Sequence, residues 1–531
     1  MTFSRVALYF ICFLLLPGCA DNDFFQKDAL ATAADKTDIE QPAGDSAWVV
    51  AGRHYDRNFL YKAIWGEHNR HIWTTPVKVP VFNLHQVAGG LQVIKRGGGY
   101  QTSSFHLQDS AGRFYAFRSI DKDPVHVLSK FWQSTFVTNI VRDQTSAANP
   151  YGMLLVPPLA EAVGVWHTNP KVFYVSAQDT SFGDFSPQVQ GRLFMLEEKF
   201  KGPADILPNF TGTVDFVDSD EALRLRFTSN RYHFDQRAFA KARLLDLLLG
   251  DWDRHKGQWD WAVTRQGKDT IFKPIPKDRD QVLLKMNDGL IPFLATSKVA
   301  VRKFYTFSDK YRDVKALLLN ASFLDERLLH ELPKEAWLQI ARQMQQNLTD
   351  LVIDQAVRQM PAPVHAAIGP ELAASLKSRR DHLHEAAETM YTLLAKEVTV
   401  TGTDEPEQFV INRLQEGQTQ VRIFRPTSTM SPEQLIYQRT FSPKETKLIR
   451  LYGLAGNDEF VVEGFANNAI PLEIFGGLGE DKITERSSVR GWKKRTSVYD
   501  TERGNSIVLG TEGKDRTTRD VRVHAYDREG N

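Results

Sequence analysis

The sequence predicts an α+β protein with an all-β carboxyl-terminal region, on three observations. Alternating runs separated by glycine occupy residues 80–125, and apolar residues recur at helical spacing over 306–397. After Val398 the composition shifts to Thr, Val, Gly and aromatic residues in short runs. At 531 residues the chain has room for two to four folded units, at about 150 residues each. Its 66 Lys+Arg nearly balance its 65 Asp+Glu, so nucleic acid is not the expected partner. The 11% aromatic content excludes a disordered chain. Both cysteines, Cys12 and Cys19, lie at the start, so no disulfide framework or cysteine zinc site can form downstream.

The first element is an export signal over residues 1–18. Arg5 precedes an apolar run from Val6 to Leu16, too short for a membrane span of about 20 residues. Leu16-Pro17-Gly18-Cys19 resembles a bacterial lipobox, which implies lipidation of Cys19 after cleavage; an ordinary secretory peptide cut near Ala20 is the alternative. Ala20 is not the aspartate associated with inner-membrane retention, so the resemblance implies an outer-membrane address. Residues 19–48 are polar, small and acidic without periodicity, and read as a flexible tether. No later stretch has 18 uninterrupted apolar residues, and no run of strands after residue 400 has the alternation of an outer-membrane barrel.

Residues 49–200 read as a strand-rich region. Leu91-Gln92-Val93-Ile94-Lys95 leads into Gly97-Gly98-Gly99, then Ser104–Leu107 and Arg113–Arg118 alternate around a turn at Asp109-Ser110-Ala111-Gly112. Three glycines fit either a hairpin turn or a loop whose amides take phosphate oxygens. A proline-started helix ends at Gly164, and strands follow near Val172–Val175 and Gly191–Leu196. Residues 201–397 read as mainly helical, opening with an irregular connector and an amphipathic helix over Phe234–Leu249.

Directly after that helix comes Asp251-Trp252-Asp253-Arg254-His255-Lys256-Gly257-Gln258. A strand-like run, Thr270–Pro276, then delivers Lys277-Asp278-Arg279-Asp280-Gln281. An acid, an amide five positions on, a short strand pair and a second acid form the layout of a phosphotransferase catalytic loop with its metal-binding aspartate. The first acid accepts a hydroxyl proton; the amide and second acid hold Mg²⁺ against phosphates. A buried ion-pair corner beside Trp252 and Trp259 would place the same charges with no chemistry at all.

Asp253–Gln258 resembles the D-R-H-x-x-N loop of lipid kinases and of atypical secreted kinases such as the FAM20-like and spore-coat kinases. GGGYQTSSFHLQDSAGRFYAFRSIDKDP, HTNPKVFYV, LLDLLLGDWDRHKGQW, PIPKDRDQV and IRLYGLAGNDEFVVEGF resemble a bacterial envelope family. That family is often fused to a calcineurin-like phosphoesterase domain or an outer-membrane surface-antigen barrel. The resemblance implies an atypical kinase-like two-lobe core with a helical extension, binding Mg²⁺ or Mn²⁺ with ATP. Carried over, Asp253 with Arg254 and His255 forms the catalytic loop, and Gln258 takes the metal-binding amide position. Asp278 or Asp280 grips the metal, and Gly97, Gly98 and Gly99 cover the phosphates. Arg118 or Lys122 replaces the phosphate-binding lysine, with Glu161 as its helix partner. Gln258 in place of Asn and Arg in place of Lys leave open a non-catalytic, pseudokinase-like accessory lipoprotein. Its partner would be an outer-membrane barrel or a polysaccharide.

In the β region, residues 398–531, Gly476-Gly477-Leu478-Gly479-Glu480-Asp481-Lys482-Ile483-Thr484 matches the calcium β-roll nonapeptide G-G-x-G-x-D-x-U-x. Gly456-Asn457-Asp458-Glu459-Phe460 matches half of it. The pattern offers Asp458 and Asp481 as Ca²⁺ ligands, although the copies stand 23 residues apart rather than a multiple of nine. Two metal-free β-turns are the other reading.

Overall fold

The computed structural model describes residues 19–35, 44–97, 103–297, 301–426, 434–501 and 503–530. The chain is α+β with several sheets and a β-rich carboxyl-terminal region. A two-stranded ribbon, β1 (Ser46–Val49) with β2 (Val77–Pro80), precedes a five-stranded antiparallel sheet. That sheet comprises β3 (Leu91–Arg96), β4 (Ser104–Asp109), β5 (Phe114–Ser119), β6 (Lys171–Tyr174) and β7 (Leu193–Lys199), in the order β3-β4-β5-β7-β6. Its core is aromatic: Phe105, Phe117, Phe173 and Phe194 pack with Phe82 and Phe182. Between β5 and β6 run α1 (Phe136–Asp143) and α2 (Val156–Val163), the latter stopped by Gly164 in the left-handed conformation.

Residues 19–35 depart from the tether that their composition predicts. They lie against the body, with Phe24 and Ala29 buried. Gln26 donates to the Val50 and Ala51 carbonyls at 2.8 and 3.1 Å, and Arg53 donates to the Asp28 and Leu30 carbonyls at 2.8 and 2.6 Å. Their polar side chains serve to pin the segment.

A second sheet, order β8-β10-β11-β9, holds β8 (Thr213–Asp218), β9 (Tyr232–Phe234), β10 (Trp259–Gln266) and β11 (Asp269–Pro276). The helix between β9 and β10, α3 (Gln236–Leu249), is capped by the Asp235 carboxylate and ended by Gly250 at φ +67°. Predicted as amphipathic, it is instead buried along nearly its whole length. The helices α4 (Lys334–Asn347), α6 (Ala362–Asp381) and α7 (Leu383–Ala395) pack against it, while α5 (Asp350–Val357) packs on α2. Its polar residues Arg243 and Asp246 survive burial because they neutralise each other, with Asp325, Arg254, Arg279 and Asp251 completing the cluster.

The β region is a parallel solenoid rather than a β-roll. One sheet runs β12 (Glu397–Thr401), β16 (Leu448–Ala455), β18 (Leu472–Leu478), β21 (Thr496–Tyr499) and β23 (Gly513–Asp515), all parallel. Facing it, β13 (Gln408–Arg413), β17 (Glu459–Ala466), β19 (Lys482–Glu485) and β22 (Ser506–Leu509) are parallel, with β14 (Thr419–Phe424) and β15 (Leu435–Phe441) added as antiparallel strands and the short β20 (Ser488–Val489) pairing parallel with the end of β17. Ile449 pairs with Leu472 and Phe460 with Ile483, so one coil is 23 residues, which accounts for the motif spacing. The inward residues Val400, Leu451, Ile474, Phe409, Phe460 and Ile483 form its own core.

Asp458 and Asp481 act in this solenoid as backbone caps. Asp458 Oδ1 accepts the Glu407 N–H at 2.7 Å, Asp481 Oδ1 that of Asp458 at 2.9 Å, and Asn505 Oδ1 that of Asp481 at 2.6 Å. Each acid serves the equivalent amide one coil away. The second oxygens of Asp458, Asp481 and Asp500 are buried and have no hydrogen-bond partner. Burial, reinforced by Glu407, pushes the Asp458 carboxyl up to about 9, and burial with Asp481 pushes Asp500 to about 7. No group of three His, Cys, Asp or Glu suited to a metal ion occurs among the described residues, so calcium has no support here. The Gly-x-Asp signature arises from the need to cap turn amides.

Candidate functional site: an acid-and-base cleft between the first sheet and the helical region

A cleft of about 590 Å³ opens between the end of β5 and the loops that follow α3 and β11. Arg118 and Lys122 enter from the β5 side and Asp253 and Asp280 from the other, and the further polar lining includes Asn320, Gln281, Gln144, Asn149 and Lys303. The remaining wall is largely apolar, including Ile120, Val141, Met153, Met195, Trp252 and Leu284. An apolar cleft with a few convergent charges is the usual form of a small-molecule site.

The local folding reasons are legible. The left-handed turn at Gly250 releases the chain from α3, and the buried arginines then hold both acid-bearing loops. Arg254 Nη1 donates to the Lys277 carbonyl and Nη2 to the Gln258 carbonyl, each at 2.9 Å, with its guanidinium stacked 4.5 Å from the Trp259 ring. Arg254 is fully buried and does not line the cleft. It braces the two acid-bearing loops from inside the protein rather than facing the cleft, where the resemblance would put it. His255 is exposed, and its Nδ1 accepts the Gly257 N–H at 3.1 Å, capping the turn at 256–258; it too stands outside the cleft.

Asp253 accepts a hydrogen bond from Asn320 Nδ2 at 2.9 Å. Lys122 pairs with Asp280, which also accepts from Gln281 Nε2 at 3.0 Å. Asp278 stands behind, 3.5 Å from Arg118 and beside Gln258 and Asp280. It adopts φ +56°, a strained conformation for a non-glycine residue and one that clusters at functional sites. Burial disfavours the Asp278 charge, but Arg118 and Lys122 outweigh it and hold the carboxyl well below the usual range. Burial, with Asp278 adding to it against the pull of Lys122, pushes Asp280 up to about 7. The neighbouring carboxyls are thus pushed apart: Asp278 keeps its charge against the two cations, and Asp280 takes up a proton more readily.

Glu161 does not meet the cations: its side chain is exposed on α2. Glu197 on β7 pairs with Arg118 instead, and Thr168 Oγ1 donates to its other oxygen at 3.0 Å. Gly97 spends its N–H on the Ser104 carbonyl at 2.6 Å, inside the β3–β4 hairpin; Gly98 and Gly99 lie outside the described residues. The sequence pattern assigns no role to Glu197, Asn320 or Gln281. The first two carry no motif: Glu197 meets Arg118 from 79 residues away, behind the cleft wall, and Asn320 enters the cleft 67 residues from Asp253.

Hard oxygen donors dominate the acid side of the cleft, a set suited to Mg²⁺ or Mn²⁺. Asp278 Oδ1 is buried and makes no hydrogen bond, with Arg118 Nη1 3.5 Å away as its ion-pair partner. Among the described residues no three His, Cys, Asp or Glu side chains form a self-sufficient metal site. A metal here would complete its shell with substrate phosphates and water, the usual arrangement for Mg²⁺ in phosphoryl transfer.

No protein-family model matches the chain, and no curated protein matches it in sequence. Among solved structures it is similar to the Helicobacter pylori proinflammatory kinase CtkA, with TM-score 0.32 and 11% identity over 57% of this chain and 95% of that one. It is also similar to HipA from the Shewanella oneidensis MR-1 toxin–antitoxin system, with TM-score 0.27 and 12% identity over 56% and 68% of the two chains. The third is the Rio2 kinase of Chaetomium thermophilum, in a complex with ADP/Mg²⁺ and phosphoaspartate, with TM-score 0.24 and 11% identity over 55% and 71%. The chemistry of the cleft rests on its own residues.

Proposed function

We propose that the cleft binds a nucleoside triphosphate with Mg²⁺ or Mn²⁺ and transfers its terminal phosphoryl group to a hydroxyl. The observation that carries this reading is the meeting of Asp253, Asp280, Lys122 and Arg118 around one largely apolar cavity. Apolar walls suit a base, and the cations Arg118, Lys122 and Lys303 suit a polyphosphate. Asp280 and Asp278, with the Gln258 amide beside them, are the residues that would hold the metal, which neutralises phosphate charge when bound. Lys122, paired with Asp280 in the free protein, turns to a phosphate oxygen. Arg118 stays anchored by Glu197 and presents its remaining donors. Asp253, fixed through one oxygen by Asn320, takes the acceptor's proton with the other as the acceptor oxygen bonds to the terminal phosphorus, the bond from that phosphorus to its bridging oxygen breaks, and the nucleoside diphosphate leaves.

A thermal-shift titration with millimolar ATP or GTP and Mg²⁺ or Mn²⁺ tests the reading. Ligand at 100 times Kd stabilises by about 2.7 kcal/mol, enough to raise Tm by several degrees. Asp278→Ala/Asp280→Ala should abolish the shift, while Asp253→Ala should keep it and lose transfer. No shift in the wild type removes the nucleotide reading and leaves the accessory-lipoprotein alternative.

We propose also that Cys19 carries the lipid that holds the protein at an outer membrane. The lipobox-like sequence and the exposed, unpaired thiol of Cys19 support this.

A further inference from the structure

We propose that Val127, Phe131 and Trp132, beside Cys19, form a face that seats on the bilayer entered by the Cys19 lipid. The inference rests on that lipid anchor and adds to it a fixed orientation. Cys19 does not stand at the end of a loose chain: it bridges to Thr135, and Ala20 N–H donates to the Ser134 carbonyl at 3.1 Å. Asp21 N–H donates to Asn139 Oδ1 at 2.8 Å, and Arg142 donates to the Asp21 carbonyl at 2.7 Å. A free 30-residue tether would let the body wander by roughly 30 Å. Pinning at Ala20 and Asp21 brings the acyl chains out at the protein surface, next to residues 127–135.

That surface carries what an interface needs. Phe131 is 70% exposed, Val127 61% and Trp132 41%, three large apolar side chains within six residues. The Phe131 and Trp132 rings touch edge to face at 5.0 Å and form one projecting wedge. Lys130, next to Phe131 in the chain, is exposed and suits anionic headgroups. Tryptophan beside a lysine at a membrane-bound terminus favours the headgroup boundary, where its apolar ring and its N–H are both satisfied, and phenylalanine favours the acyl side of that boundary. Pro124 and Val127 also line the cleft, so seating brings one wall of the cleft to the lipid surface.

The test uses the full chain, processed in its host and reconstituted in phosphatidylethanolamine/phosphatidylglycerol vesicles. A nitroxide is placed at Phe131→Cys or, as control, at Trp492→Cys, whose native side chain is fully exposed in the β region. Relaxation by oxygen and by a water-soluble nickel chelate reads depth, and mass spectrometry reads acylation of the amino-terminal peptide. The proposal expects acylated Cys19, a label at 131 reached several-fold better by oxygen than by nickel, and the reverse at 492. Acylated protein with a nickel-accessible label at 131 overturns the seating and leaves the anchor standing. A Cys19 without acyl chains overturns the anchor and the seating together. In neither case is the cleft's nucleotide reading touched.

Discussion

Replacing Asp246 by Asn should destabilise the helical region by about 3–5 kcal/mol, the cost of breaking a buried ion pair from one side. Asp246 lies in a cluster of three arginines and three aspartates, all essentially buried. It bonds Arg243 at 2.5 Å, meets Arg279, and stands 3.4 Å from Arg254. With Asp246 gone, Asp251 and Asp325 remain against Arg243, Arg254 and Arg279, leaving one positive charge uncompensated. At 4 Å and an effective dielectric of 20 a single such pair is worth about 4 kcal/mol, and Asp246 takes part in three. Burial resists its charge, but the three arginines hold its carboxyl below the ordinary value of 3.8. The stability it contributes is therefore present above that value and lost as pH falls through the folded range. Urea unfolding followed by tryptophan fluorescence reads the effect, since Trp259 stacks on Arg254. Asp220→Asn, which removes an exposed partner of Lys256, should change stability by less than about 1 kcal/mol. A loss below about 1 kcal/mol for Asp246→Asn would refute the view that this cluster holds the two acid-bearing loops.

Further outcomes follow from the same structure. In the solenoid the raised carboxyls bind more protons folded than unfolded, so stability should fall as pH climbs from about 5 to 9, through the values near 7 for Asp500 and near 9 for Asp458. Asp458→Asn should flatten that decline and raise stability at pH 8 by about 1–2 kcal/mol, measured by thermal melts across pH. Gly476→Ala should cost about 1–3 kcal/mol, because a β-carbon there would meet the buried Asp500 and Asp481 carboxylates, the latter at 2.5 Å. Lys122→Met should weaken nucleotide binding by about 1.5–3 kcal/mol, read by calorimetry, while folding is kept.

The sequence displayed the loops of the cleft but not their partners. Asp253, Asp278 and Asp280 stand out because acids recur at set distances after a helix and a strand pair. Arg254 lies in the same motif, yet only its burial on Trp259 reveals that it braces the loops. Glu197 and Asn320 are single residues on distant elements, and no spacing announces them. The 23-residue interval between the Gly-Asp motifs was visible, but its meaning as one solenoid coil depends on strand pairing. Polar composition misled for residues 19–35, where Gln26, Asp28 and Asp35 are bonding groups for the body rather than a solvated chain.

The proposal that Asp278 and Asp280 hold a divalent metal against nucleotide phosphates in this cleft meets its sharpest test in electron paramagnetic resonance of Mn²⁺. Titrated with ATP and protein, the wild type should bind one Mn²⁺ per chain, and Asp278→Asn/Asp280→Asn should bind none, while Asp253→Asn retains it. Mn²⁺–ATP that stays free in the presence of millimolar wild-type protein, or binds the double variant equally well, would contradict the account.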